Sequence, residues 1–240
     1  MTQGRKRKHL NPTISIIIPA FNEENTIENL LSRIHKTLEM TQSPYEIIVV
    51  DDGSIDKTAQ LAHRYKATVL KNGQNQGKGH ALQRGFQHAK GDIIITMDAD
   101  GSHKPEDLTK LVTPLLNGAD IVFGSRFING CSKIATKKLH RFGNRLFNLI
   151  IRLLTDKHIT DSQTGFRGYK KEIIKQIGIT SQGYEVETEL TVKSLKNGCV
   201  VHEEPITFEK RIDGFSHLNP LTDGFKILKT ILMASIEQRI

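Results

Sequence analysis

The chain has 240 residues, with 34 Lys and Arg against 26 Asp and Glu, which gives a formal net charge of +8. Hydrophobic residues make up 37% and charged residues 25%, values that are typical of a globular domain and exclude a disordered or low-complexity chain. The length suits one domain with a full core, and the two cysteines, which form no C-x-x-C pair, favour a reducing compartment over a disulfide scaffold or a cysteine zinc site.

Short apolar runs alternate with amphipathic stretches over the first half of the chain. The runs are β-branched and short, which predicts buried strands, and the stretches between them predict helices. The predicted strands are 14–19, 46–50, 68–70, 92–97 and 120–123, and the predicted helices are 23–40, 56–66, 77–89 and 105–117. This alternation predicts an α/β fold with a mostly parallel sheet flanked by helices.

Three further helices are predicted in the second half, over 136–154, 185–197 and 221–236. In the first of them, apolar residues such as Leu139 and Phe142 recur at helical spacing among basic residues. The segment 131–158 carries seven basic side chains against one acidic side chain, Asp156. Cations beside Phe and Leu on one helix are typical of helices that lie at a membrane surface, although an apolar stripe more often packs on the core.

A second basic patch lies at the start of the chain, where Arg5, Lys6, Arg7 and Lys8 follow one another. The patch predicts a flexible tail over 1–12, followed by one domain over 13–240. Patches of this kind prefer phosphate-rich partners. No apolar run approaches the roughly 18 residues of a spanning helix, and none follows the basic start, so we expect neither a transmembrane helix nor a signal peptide.

Two carboxylates, Asp98 and Asp100, come at the end of the predicted strand 92–97. Side chains at the carboxyl ends of parallel strands project into the crevice where α/β sheets bind ligands. Two adjacent carboxylates repel each other unless a cation lies between them, and Mg²⁺ or Mn²⁺ prefers oxygen ligands. The pair therefore indicates a metal site that serves a diphosphate, although Asp and Gly also favour plain turns.

Two other loops carry polar residues suited to a nucleotide. Asp51-Asp52-Gly53-Ser54 follows the second strand, where carboxylates can accept hydrogen bonds from a ribose or a base. Asn75-Gln76-Gly77-Lys78-Gly79 precedes a helix, where backbone N–H groups and Lys78 can meet an anion. The chain has neither a Walker A motif nor a G-x-G-x-x-G after its first strand, which disfavours a dinucleotide-binding site.

Together these motifs resemble the family 2 inverting glycosyltransferases, which have a GT-A fold and use nucleotide-sugar donors with a divalent metal. The first part of the resemblance consists of Ile18-Pro19-Ala20-Phe21-Asn22-Glu23-Glu24 and the motifs around Asp52, Lys78 and Asp98. The later part, in 124–127, 161–167, 183–187 and 205–214, is similar to the polyprenyl- or dolichyl-phosphate mannosyl- and glucosyltransferases. The resemblance covers about residues 14–235, and the basic amphipathic segment lies where that branch carries interface helices.

The resemblance implies a role for individual residues. Those implied to bind the nucleotide sugar are Pro19, Phe21, Asn22, Glu23, Asp52, Lys78, Asp98 and Arg126. Those implied to bind the metal are Asp98 and Asp100, and those implied to bind the acceptor phosphate are Arg167, Arg211 and Ser216. The candidate catalytic residues are Asp100, Asp161, Glu185 and Arg211. A guanidinium fork is well shaped for a phosphate, which supports the two arginines at the acceptor.

Two residues depart from the branch, and one motif of the processive synthases is absent. Ser102 stands where the branch commonly has Gln, so the third protein ligand of the metal is left open. His217 stands where a lysine is common, so a neutral or switchable side chain replaces a fixed positive charge on the acceptor side. The chain has no Trp and therefore lacks the Gln-x-x-Arg-Trp element of processive synthases, so we expect one sugar per acceptor.

The acceptor decides whether the reaction needs a base. A lipid phosphate is already anionic near pH 7, so positioning and charge neutralisation suffice. A sugar hydroxyl would need a carboxylate with a raised pKa, for which Asp161 and Glu185 are the candidates. Both also have structural alternatives, since Asp161 can pair with Arg167 and Glu185 can open the helix 185–197.

We therefore expect transfer of one sugar from GDP-mannose or a UDP-sugar to a polyprenyl or dolichyl phosphate, with a divalent metal and with inversion. The protein would be peripheral on the cytoplasmic face of the membrane. A glycosyltransferase acting on a sugar hydroxyl of a glycolipid or glycan, and a nucleotidyltransferase, are the alternatives. Nucleic acid is disfavoured as a partner because aromatic residues make up only 6% and no base-reading motif is present.

Overall fold

The computed structural model describes residues 12–128, 138–211, 219 and 222–237. Within them, seven strands form one sheet in the order β3-β2-β1-β4-β6-β5-β7. The strands are β1 (Ile14–Ala20), β2 (Tyr45–Asp51), β3 (Thr68–Lys71), β4 (Ile93–Thr96), β5 (Ile121–Ser125), β6 (Arg167–Lys170) and β7 (Val201–Pro205). Strand β6 is antiparallel to both of its neighbours, and the other pairs are parallel. The predicted mostly parallel sheet is confirmed.

Helices cover both faces of this sheet. They are α1 (Ile27–Glu39), α2 (Thr58–Arg64), α3 (Lys78–His88), α4 (Leu108–Leu116), α5 (Lys138–Thr155), α6 (Lys171–Ile177), α7 (Val186–Lys196) and α8 (Thr222–Ile236). Helices α1, α2 and α4 contribute to the core on one face of the sheet. Helices α3, α5, α6, α7 and α8 contribute to the core on the other face. The two cores explain why apolar residues run continuously through the central strands.

The central strands form because their β-branched residues are buried on both sides. In β1, Ile14, Ile16, Ile17 and Ile18 are fully buried, so successive side chains enter opposite cores. All five predicted strands are present, as are the seven predicted helices, with ends that differ by a few residues. Strands β6 and β7 and helix α6 were not predicted, because β6 and β7 are short and rich in polar residues.

The two amphipathic helices expose apolar side chains although they also pack on the core. Helix α5 contacts α7 and α8, and Ile151 of α5 and Ile231 of α8 are fully buried. The exposed apolar residues of the two helices are Leu139, Phe142, Leu146, Leu149, Leu153, Leu154, Phe225, Leu232, Met233 and Ile236. No helix in the described part of the chain is long and apolar enough to cross a bilayer.

The topology brings the predicted motifs to one edge of the sheet. Strands β1, β2, β4 and β5 are parallel in direction, so the loops that follow them lie at the same edge. Strand β6 runs the opposite way and therefore begins at this edge with Arg167. The predicted tail, apart from residue 12, and Ser216 and His217 lie outside the described residues.

Candidate active site

A cleft of about 450 Å³ opens at the carboxyl edge of the sheet. Of the sequence-predicted residues, it is lined by Pro19, Phe21, Glu23, Asp52, Lys78, Asp98, Asp100, Arg126 and Arg211. It is also lined by residues to which the sequence assigned no individual role, including Ala81, His140, Gln163 and Tyr184. The cleft therefore unites side chains that are separated by almost two hundred residues along the chain.

A half-buried cation, Lys78, lines the cleft. Lys78 is the first residue of α3, and its Nζ lies 2.5 Å from Asp98 Oδ1 and 2.7 Å from Glu187 Oε1. Burial alone would lower the pKa of Lys78, but Asp98 and Glu187 outweigh it and raise the pKa above its ordinary value. Burial would conversely raise the pKa of Asp98, and Lys78 brings it down to about 2. Lys78 and Asp98 are therefore held in their charged forms.

The turn before β6 passes close to this charged group at Gly165. A Cβ added at Gly165 would lie 2.6 Å from Asp98 Oδ2 and 2.8 Å from Lys78 Nζ, closer than real Cβ atoms approach. The Thr96 hydroxyl donates to the Gly165 carbonyl over 2.9 Å and fixes the turn against β4. The backbone thus forms one wall of the pocket around Asp98.

The second carboxylate of the pair is held from two sides. The Ser102 backbone N–H and hydroxyl donate to Asp100 Oδ1 over 3.0 and 2.6 Å. Arg211 Nη1 lies 3.8 Å from Asp100 Oδ2, and Arg211 Nη2 forms an ion pair with Glu23. Burial raises the pKa of Glu23 to about 7, with Arg211 opposing the rise and Asp100 adding to it.

The donor set of the cleft fits a divalent cation that shares its coordination with a phosphate ligand. Asp98 Oδ2 lies 3.9 Å from His103 Nδ1 and Asp100 Oδ2 lies 3.8 Å from Arg211 Nη1, distances too long for hydrogen bonds. In the described residues, no group of three His, Cys, Asp or Glu is arranged to hold a metal. Two protein carboxylates completed by phosphate oxygens and water are typical of Mg²⁺ sites.

Arg126 reaches the cleft because Asp161 holds it there. Its Nε and Nη2 donate to Asp161 Oδ2 and Oδ1 over 2.7 and 2.8 Å, and its backbone N–H also donates to Asp161. The Asp161 side chain is fully buried. The structure thus contradicts the prediction of Asp161 as a catalytic base, because both carboxylate oxygens are occupied. Asp161 instead forms a structural ion pair, as the alternative predicted, but its partner is Arg126 and not Arg167.

Arg167 does not reach the cleft. It is fully buried, and its guanidinium donates to the backbone carbonyls of Thr164, Ser162 and Glu187. It also lies 4.3 Å from the centre of the Phe123 ring. The prediction that Arg167 binds the acceptor phosphate is therefore wrong, since the guanidinium ties together the segments on which the cleft is built.

Two further predicted residues lie beside the cleft rather than in its lining. The backbone N–H of Asn22 donates to Ser54 Oγ and its side-chain oxygen accepts from the Ile55 N–H, so Asn22 joins the loops after β1 and β2. Glu185 precedes α7 and accepts from the Gly183 N–H. The helix-opening alternative for Glu185 is the one that the structure shows.

Asp52 lines the cleft and shapes the loop that precedes α3. Its carboxylate accepts from the backbone N–H groups of Gln76 and Gly77 over 2.8 to 3.1 Å and from the Asn72 side chain over 2.6 Å. Sequence reasoning gave Glu187 and His103 no role. Each lies near Asp98 or Lys78 in the fold, but nothing in the local pattern separates Glu187 from its neighbour Glu185.

Residues 15–178 match the family described as Glycosyl transferase family 2. The chain belongs to this family. A dolichol-phosphate mannosyltransferase of Pyrococcus furiosus is 35% identical over 87% of this chain, which spans 60% of that protein. A UDP-N-acetylglucosamine–dolichyl-phosphate N-acetylglucosaminyltransferase of Methanococcus voltae is 30% identical over 92% of this chain and 95% of its own length.

A solved structure shares the fold of this chain. The crystal structure of glucosyl-3-phosphoglycerate synthase from Mycobacterium tuberculosis, in complex with Mn²⁺, UDP and phosphoglyceric acid, superimposes with a TM-score of 0.74. The two chains are 23% identical, and the match covers 95% of this chain and 80% of the other. The predicted GT-A fold and the predicted glycosyltransferase class are both confirmed.

Replacing Arg167 with Met should destabilise the protein by about 3–5 kcal/mol, because it leaves several buried carbonyls without a donor. Urea denaturation followed by circular dichroism measures this. Arg64→Met, at an exposed position in the last turn of α2, is the matched control and should change stability by less than about 0.5 kcal/mol. An Arg167→Met variant that is as stable as the wild type would overturn the structural role.

Glu23 should make stability depend on pH. Its folded pKa of about 7 lies above the ordinary 4.5, so the folded state keeps a proton that the unfolded state loses between these values. The free energy of unfolding then falls as pH rises through that window. Glu23→Gln removes this dependence, so the metal-free variant should gain about 1–3 kcal/mol relative to wild type between pH 5 and pH 8.

The measurement is chemical denaturation at a series of pH values, with a chelator present throughout. The control is Glu39→Gln, because Glu39 is exposed at the end of α1. A Glu23→Gln stability difference that stays constant with pH would show that Glu23 titrates normally.

Proposed function

We propose that this protein transfers one sugar, with inversion, from a nucleotide-sugar donor to a polyprenyl or dolichyl phosphate. The observation that carries the proposal is the cleft itself, which places Asp98 and Asp100 beside Lys78, Arg126 and Arg211. Such an array suits two phosphorylated substrates. The relatives whose names specify dolichol or dolichyl phosphate add support, and their names specify different sugars, so GDP-mannose and UDP-sugars both stay candidates.

On the donor side, residues of the cleft would bind and orient the nucleotide sugar. The loops joined by Asn22 and Asp52 form the wall for the nucleoside. Lys78 and Arg126 stand where the diphosphate would lie, each held by a carboxylate that prevents its side chain from moving freely. A divalent cation held by Asp98 and Asp100 would neutralise the charge that develops on the leaving diphosphate.

On the acceptor side, Arg211 is the guanidinium that the cleft offers. It reaches the lining from the segment after β7, between Glu23 and Asp100. Both carboxylate oxygens of Asp161 accept hydrogen bonds from Arg126, and Glu185 does not line the cleft. An acceptor that needs no general base therefore fits best, and a phosphate monoester is such an acceptor because it is already ionised.

A sugar-hydroxyl acceptor is the second candidate, and one observation favours it. Glu23 lines the cleft, and its pKa of about 7 would let it take a proton from a hydroxyl. Its ion pair with Arg211 argues for a structural task instead. Incubation with labelled GDP- and UDP-sugars, offered either a short-chain polyprenyl phosphate or a glycolipid, distinguishes the two. Product on the glycolipid alone would refute the phosphate acceptor.

We further propose that the exposed apolar faces of α5 and α8 rest on the membrane that holds the acceptor. Phe142 and Leu153 of α5 are 68% and 76% exposed, and Phe225 of α8 is 69% exposed. Exposed apolar patches of this kind mark interaction sites. The basic residues of α5 would favour an anionic leaflet, at about 1 kcal/mol for each residue near the surface. The cytoplasmic face stays a prediction.

Asp100→Asn should lower metal-dependent sugar transfer by at least about 10²-fold, because it removes a charge aimed at the diphosphate. Chelation should abolish wild-type transfer, and added Mn²⁺ or Mg²⁺ should restore it. Initial rates with the best donor of the panel measure both effects. Asp156→Asn, at an exposed position beyond the end of α5, should keep wild-type rates. Full turnover in Asp100→Asn, or in the chelated enzyme, would contradict the metal site.

Replacing Phe142 and Leu153 together with Asp should weaken binding to vesicles of phosphatidylcholine and phosphatidylglycerol by about 10²-fold, because two apolar side chains no longer enter the interface. Flotation measures the bound fraction. Met40→Asp is the control, since Met40 is an exposed apolar residue just beyond α1, on the opposite side of the sheet. Equal flotation of all three proteins would count against membrane contact through α5.

A further inference from the structure

A second hollow, of about 380 Å³, lies against another face of α3. We call it the α3 hollow, and the lining residues that matter here are Lys71, Asn72, His80, Arg84 and His88. It shares no lining residue with the cleft. The α3 hollow is therefore a separate concave surface, built from the end of β3 and the solvent side of α3.

The α3 hollow is lined by groups that can carry positive charge and by no acidic group. Of its nine lining residues, four are Lys, Arg or His, and the others are Asn, Gln and Gly. His80, Arg84 and His88 follow one another at four-residue spacing, so they form one ridge along α3.

Arg84 is already oriented for a phosphate. Its Nη1 lies 2.5 Å from both the Lys71 carbonyl oxygen and Asn72 Oδ1, which fixes the plane of the guanidinium. Within the described residues, Nε and Nη2 make no hydrogen bond to the protein. These two nitrogens form the edge of an arginine that binds phosphate oxygens in pairs.

One side chain connects the α3 hollow to the cleft. Asn72 is 7% exposed, and its side-chain oxygen accepts from Arg84 while its side-chain nitrogen donates to Asp52 Oδ1 over 2.6 Å. Asp52 in turn lines the cleft and holds the loop before α3. An anion that engages Arg84 therefore acts on the same amide that orients Asp52.

We propose that the α3 hollow binds a phosphate group, either free or as the headgroup of an anionic lipid, and that its occupancy changes nucleotide affinity in the cleft through Arg84, Asn72 and Asp52. The binding half is independent of the function proposed above. The coupling half depends on that function, because it requires the cleft to bind a nucleotide.

The test is a titration of the full chain, labelled in its histidine rings, with inorganic phosphate and separately with dihexanoyl phosphatidic acid. The ring signals of His80 and His88 report the α3 hollow, and that of His140 reports the cleft. We expect saturable shifts of His80 and His88. Shifts with both probes indicate that a free phosphate suffices, and shifts with phosphatidic acid alone indicate a lipid headgroup. Shifts confined to His140, or no shifts, would overturn the proposal.

Variants show whether the basic ridge is responsible. Arg84→Gln should weaken phosphate binding by about tenfold, since it removes a charged hydrogen-bond donor. His88→Gln should weaken it as well, since it removes an imidazole that lines the hollow. His88→Gln leaves the Arg84–Asn72 contact in place and therefore serves if Arg84→Gln disturbs the fold. The control is Lys90→Gln, because Lys90 is an exposed cation just beyond α3 that does not line the hollow. Equal affinity in all four proteins would overturn the site.

The coupling is measured as the dissociation constant of UDP or GDP with and without saturating phosphate. Because coupling between sites is reciprocal, the nucleotide should also change phosphate affinity by the same factor. We expect a change of at least about threefold in the wild type and none in Arg84→Gln. An unchanged nucleotide affinity beside clear His80 and His88 shifts would overturn the coupling half, and it would leave the sugar transfer itself unaffected.

Discussion

The cleft depends on the two ion pairs of Lys78, whose ammonium group lies between Asp98 and Glu187. A cation with little access to water is stable only where carboxylates surround it, and each carboxylate in turn needs the cation. The pairing joins the start of α3, the loop just after β4 and the first turn of α7. It therefore ties α7 to two elements that lie far earlier in the chain, and it keeps Asp98 ionised at the carboxyl edge of the sheet.

Carboxylates also restrain the two arginines that line the cleft. Asp161 pairs with Arg126 and Glu23 pairs with Arg211, so each of these cleft-lining guanidinium groups is restrained by a carboxylate. Preorganised charges of this kind stabilise a transition state without having to move when the reaction occurs. A cleft of restrained cations and two carboxylates suits the departure of a diphosphate better than it suits proton transfer.

The sequence predicted the central strands, the main helices and nine of the residues that line the cleft, because buried β-branched runs and strand-end motifs are local signals. It did not predict β6 or β7, since a strand such as Arg167–Lys170 is polar and becomes a strand only between β4 and β5. The misassignment of Arg167 has the same origin. Its partners are carbonyls of residues 162, 164 and 187, which only the fold brings together.

The most direct test of the proposed cleft chemistry is the binding of Mn²⁺, followed by electron paramagnetic resonance, with and without GDP or UDP. If Asp98 and Asp100 supply only part of the coordination, a nucleoside diphosphate should complete it. We then expect one saturable Mn²⁺ per chain, bound at least about tenfold more tightly when the preferred nucleotide is present. The absence of a saturable Mn²⁺ site, or an affinity that neither nucleotide changes, would contradict the account.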